Sequence, residues 1–147
     1  MPRFTRRSKF FGSLLLSLLV VPPVWAHEVE VAGEVAATFH IEPNDQPQAG
    51  VPAKAWFALT RRGGQVIPLS QCNCQLAVYP IPHVEGKTPP LMQPLLRALN
   101  IGQYQGIPGT LITFPKAGIY ELELTGTAKS GVSFKPFTLS FQVTVTK

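Results

Sequence analysis

The chain has 147 residues, 45% of them hydrophobic and only 14% charged, with fifteen prolines and twelve glycines. That apolar content is too high for a disordered chain, and the glycines follow no collagen-like period. The net charge of +5 sits mostly on Arg3, Arg6, Arg7 and Lys9; from residue 27 onward nine Lys/Arg face eight Asp/Glu, too even a balance to bind nucleic acid.

Those four bases precede an apolar run from Phe10 to Val21, then Pro22-Pro23 and Val24-Trp25-Ala26. A charged start, a hydrophobic region of twelve residues and small residues at positions −3 and −1 predict an export signal, residues 1–26, cleaved after Ala26. The run is short of the roughly 20 residues a bilayer-spanning helix needs. No later stretch is apolar enough to span, so the cleaved chain is not expected to be an integral membrane protein. An uncleaved N-terminal anchor is the alternative. Thr5-Arg6-Arg7 followed by Phe10-Phe11 is an imperfect twin-arginine pattern. Cleavage would leave a single domain, 27–147, in the periplasm or an equivalent lumen, with His27 first and disulfides permitted.

Alternation governs this domain. Val29, Val31, Val35, Ala37 and Phe39 keep one parity through Gly33, so this stretch reads as one long strand or as a hairpin turning at Gly33. The hairpin, with Val29 and Val31 inward, puts Glu28 opposite His40 and His27 within reach of it. The single strand separates His27 from His40 by roughly 40 Å, at about 3.3 Å per residue. Val35, Ala37, Phe39 and Ile41 share a face opposite Thr38, His40 and Glu42. Pro43-Asn44-Asp45-Gln46-Pro47 has turn composition. Ala55, Phe57 and Leu59 share a face, and outward-parity Trp56 reads as core or cover. Gly63-Gly64 reads as a turn. Cys72, Cys74, Leu76 and Val78 again share a parity.

The pattern breaks at about 80–108, where Pro80, Pro82, Pro89, Pro90 and Pro94 predict a Pro-rich loop with at most a turn of helix over Pro94–Asn100. Leu91, Met92, Leu95, Leu96 and Leu99 would either cap an open end of the fold or dock a partner. Alternation resumes at Tyr120, Leu122 and Leu124, and again at Phe137, Leu139, Phe141, Val143 and Val145. Gly126 and Lys129-Ser130-Gly131 read as turns. Gly118 two residues before Tyr120 predicts a tyrosine corner, the phenol folding back onto backbone. Six or seven short strands with turn signals predict an all-β fold, an antiparallel Ig-like Greek-key sandwich of about seven strands.

Catalytic groups are scarce: Asp45 is the one Asp, and the three His are His27, His40 and His83. No nucleophile elbow, carboxylate pair or phosphate-cradling glycine loop is present, so a non-enzyme is expected. His27, once first in the chain, offers its α-amine and ring Nδ1 as a chelate, and such nitrogens suit Cu(II). His40 and His83 are the available further imidazoles. The Cys72-Asn73-Cys74 run has three readings: two buried thiols, an eleven-membered disulfide ring, or a soft-metal or redox pair suited to Cu(I).

An exported, His-first, all-β chain carrying Gly118-Ile119-Tyr120-Glu121-Leu122-Glu123-Leu124 resembles the small periplasmic Ig-like sandwiches of the YtkA-like and CopC-like group. The resemblance implies Cu(II) binding through the mature N-terminal His, carried here to His27 alone. Such proteins commonly add an Asp and a His late in the chain; this sequence has no His after His83 and no Asp after Asp45, so His40, His83 or Cys72 and Cys74 would complete the ligand set. The leading expectation is therefore an exported copper-binding sandwich, a carrier or chaperone that serves an exported or membrane-bound partner. The alternative is a metal-free assembly module that docks through the Pro-rich loop.

Overall fold

Period-two alternation in the sequence becomes eight strands, described for residues 28–147 in a computed structural model. The expected export segment and His27 lie outside the described residues. The strands are β1 (Glu28–Ala32), β2 (Val35–Ile41), β3 (Ala53–Arg61), β4 (Cys72–Pro80), β5 (Arg97–Ile101), β6 (Tyr104–Ile112), β7 (Gly118–Ala128) and β8 (Phe137–Val145). They form two antiparallel sheets, ordered β1-β2-β3-β6-β5 and β4-β7-β8. The fold is a β-sandwich, with one strand more than the seven or so expected.

The core lies between the sheets and is built from one parity of each strand. Along β8, residues alternate strictly between buried and exposed, from Phe137 in to Val145 in. Phe39 and Phe57 from the larger sheet meet Phe141 from the smaller, at centroid distances of 5.0 and 5.5 Å. Tyr120 is buried, and its hydroxyl donates to the Lys116 carbonyl at 2.7 Å, the expected tyrosine corner. Tyr120→Phe is expected to cost about 1 kcal/mol, since it removes one hydrogen bond and keeps the ring. A urea midpoint shift checks this; an unchanged midpoint would deny the bond any weight.

The chain turns at Gly33, with φ +62°, and pairs Ala32 with Val35, so the hairpin reading of 28–41 holds. Its register corrects the expected facing. Glu28 pairs with Phe39 and not His40, and Val29 and Val31 lie 55% and 66% exposed on the outer side. A two-residue turn shifts β1 by one step relative to the expected pairing, so Glu28, Glu30 and Ala32 take the inward parity.

Two further expectations are corrected. Gly126 lies inside β7, paired with Cys74 and Phe137, and is not a turn. A Cβ there would fall 2.8 Å from Cys72 Sγ and against the Phe137 ring, so glycine serves packing. The second half of the Pro-rich stretch is the β5–β6 hairpin, with no helix over Pro94–Asn100. Pro108 stands inside β6, and the β3–β6 ladder stops one residue before it, at Trp56↔Gly109. Lacking an N–H, Pro108 could not have donated to β3. The remaining loop, 81–96, is mixed: Met92 and Leu96 pack against the core, whereas Leu91 and Leu95 are exposed.

Trp56 covers the outer side of the larger sheet as expected. It joins buried Ala58 and Ile107, with Val66, Leu99, Ile101 and Tyr104 packed around them. This second small core makes β3 apolar on both sides.

Candidate functional site

The chain leaves β2 at Ile41 and turns through Glu42–Asp45, where Asn44 and Asp45 both take positive φ. Asp45 folds back, and its Oδ1 accepts from the Ile41 N–H at 2.9 Å. The same oxygen lies 2.9 Å from His40 Nδ1. His40 has the outward parity of β2, and its ring rests on Trp56 at a centroid distance of 5.2 Å. The imidazole thus lies between the Asp45 carboxylate at one edge and the indole of Trp56 against its ring.

Glu28, the first described residue, stands beside this pair. With Phe39, Ile41, Asp45, Gln142 and Val143 it lines a cavity of about 130 Å³ at the rim of the sandwich. Burial raises the Glu28 carboxyl above its ordinary value; the Gln142 backbone N–H opposes this, and Glu30 and Asp45 add to it. The rim is thus a place where negative charge is already crowded.

His83 belongs elsewhere. Its ring stacks on Tyr79 at 4.5 Å and 13°, and Nε2 lies 3.3 Å from Glu121 Oε2. Burial, then Glu123 and Glu121, raise the Tyr79 hydroxyl above its usual value. Tyr79 and Glu121 are paired across β4 and β7 and alternate with buried Val78 and Leu122, so they carry the outward parity of the smaller sheet. His40 and His83 therefore stand on opposite outer faces, with the core between them. They cannot share an ion whose ligands lie about 2 Å away.

Cys72 and Cys74 are joined in a disulfide. This is the ring reading of the C-x-C run; the bond consumes both thiols and leaves no thiolate for a metal. Cys72 is buried, and Cys74 is partly exposed. They sit next to Gly126, which pairs with Phe137 at the start of β8, whereas the Asp45 cavity adjoins Val143 near its end. Six residues of strand, roughly 20 Å, separate the two positions. In the chain-entropy treatment a ring of three residues stabilises by only about 1.5 kcal/mol, half the value for a fifteen-residue loop.

The expected donors His40, His83, Cys72 and Cys74 thus occupy three separate places. Among the described residues, no group of three or more His, Cys, Asp or Glu is arranged to hold a metal ion. Two partners escaped the sequence reading. Asp45 was legible only as a turn residue, although an Asp five residues after a strand His, across a turn, is a usable signal for a contact. Glu121 had no local signal linking it to His83.

Comparison with known proteins supports the architecture. The crystal structure of a DUF4426 family protein from Pseudomonas aeruginosa PAO1 superposes with a TM-score of 0.53 over 82% of this chain and 94% of that one. The likeness is one of fold. At 9% identity it extends no further. No protein-family model matches the chain, and no curated protein does.

Proposed function

We propose that the protein is an exported, non-enzymatic β-sandwich that binds Cu(II) at the rim where β1 begins, as in the YtkA-like and CopC-like group. The observation that carries this reading is the His40–Asp45 pair, held at 2.9 Å one step beyond the last described pair of the β1–β2 ladder, Glu28↔Phe39. Were the ladder to run on by one pair in the same register, position 27 would face His40. With the signal removed after Ala26, His27 supplies its α-amine and ring Nδ1, and His40 supplies Nε2. Asp45 orients the His40 ring from behind, the usual arrangement for a metal-binding imidazole. Three nitrogens in a tetragonal array, beside a crowded negative rim, suit Cu(II). His83 and the disulfide take no part. The chain would act as a carrier that yields its ion to an exported or membrane-bound partner.

Titration decides it. The chain that begins at His27 is compared with one bearing an extra N-terminal Gly, each against a competing chelator. The first is expected to bind Cu(II) at least about a hundredfold more tightly, with His40→Ala costing about tenfold or more. Equal, weak binding by both forms would sink the proposal. It would also favour the second reading, a metal-free module that docks through the loop bearing Leu91 and Leu95, which are 46% and 75% exposed.

A further inference from the structure

We infer that the Cys72–Cys74 disulfide is a thiol–disulfide exchange site whose substrate is the dithiol of a protein or peptide. The ring encloses one residue, Asn73, so it restrains little of the unfolded chain and is poorly suited to be a staple. Its two sulfurs are unequal: Cys72 is 1% exposed, against Gly126 and Phe137, whereas Cys74 is partly open. A groove of about 230 Å³ opens on Cys74, bordered by Gln75, Gln93 and the exposed Leu95. β4 is the end strand of its sheet; the Leu91–Met92 segment bonds to it at Val78, and the groove lies farther along the same margin, beside Cys74.

The reaction follows from that asymmetry. A partner thiolate enters the groove and attacks Cys74 Sγ. The new S–S bond forms as the Cys72–Cys74 bond breaks; Cys72 Sγ leaves with the electron pair and takes up a proton. The partner's second thiolate then attacks its own sulfur in the mixed disulfide and releases Cys74, which is protonated in turn. Two electrons and two protons pass to the chain, and the partner's dithiol becomes a disulfide. Access sets the order: a partner thiolate can reach Cys74 but not the buried Cys72, so both directions run through Cys74, and Cys72 acts as the resolving sulfur.

The test uses the chain from residue 27 onward, without denaturant and with a chelator to exclude metal-catalysed oxidation. It is equilibrated in mixtures of reduced and oxidised dithiothreitol, quenched in acid and alkylated. Both thiols are expected to appear together while the near-ultraviolet circular dichroism stays native, with Tm falling by less than about 10 °C. With oxidised glutathione as probe, Cys72→Ser is expected to form a mixed disulfide at Cys74 at least about tenfold faster than Cys74→Ser forms one at Cys72. Alkylation only after denaturant is added, or equal rates in the two variants, would make the disulfide a sealed structural link and overturn the proposal. Should either variant fail to fold, the redox titration of the unmutated chain decides alone.

Discussion

Phe57→Ala is expected to remove about 4 kcal/mol of folding stability, a large fraction of what a domain of this size possesses. Phe57 is fully buried in β3, 5.1 Å from Phe39 on the neighbouring strand and 5.5 Å from Phe141 on the opposite sheet. It touches both layers, so truncation opens a cavity that neither sheet can close by itself. The lost ring contacts add to the lost transfer free energy. The measurement is a urea midpoint at unchanged slope. Val31→Thr is the control: 66% exposed on the outer side of β1, it should change stability by less than about 0.5 kcal/mol. A large loss at Val31 with a small one at Phe57 would reverse the assignment of faces.

Gly109→Ala is expected to cost about 3 kcal/mol for a different reason. Gly109 needs no unusual backbone angle; it needs the absence of a Cβ. An added carbon would meet Leu99 of β5 and stand 2.9 Å from the Ala55 carbonyl oxygen of β3. The leucine can turn aside, but the carbonyl belongs to a strand held in the sheet on both sides. Adding Leu99→Ala to Gly109→Ala should therefore recover only part of the loss. Full recovery in the double variant, read by the same urea midpoints, would show that the close approach of the two backbones carries no cost.

Legibility in the sequence tracked how fully each strand is exposed to one solvent and one core. β2, β7 and β8 each have a dry side and a wet side, so Val35 to Ile41, Tyr120 to Leu124 and Phe137 to Val145 declared themselves by alternation. β6 has two strand neighbours and packs under Trp56 as well as over the main core, and its Gly106, Pro108 and Gly109 answer to turn and close-approach demands. Nothing in its sequence alternates, so its first half fell within the stretch expected as loop and the rest drew no assignment. β1 failed in the opposite way: Val29 and Val31 are apolar but lie on the wet side of an end strand, where hydrophobicity does not report facing. At the candidate site, His40 was visible as a strand residue, but its contact with Asp45 is made by a turn with two residues at positive φ, a geometry that only the fold supplies.

The larger sheet ends on β1, five residues long, with a row of backbone groups that another strand could capture. Its inward parity carries Glu28 and Glu30 before Ala32, and Glu28 lines the cavity at the rim of the sandwich. A second molecule adding its own strand there would have to strip water from two carboxylates, one of which, Glu28, burial already holds above its ordinary value. Short length and inward charge are the means by which natural sheets avoid growing into fibres. The same two residues that defeat a simple inside–outside reading of β1 thereby guard the open side of the sheet against self-association.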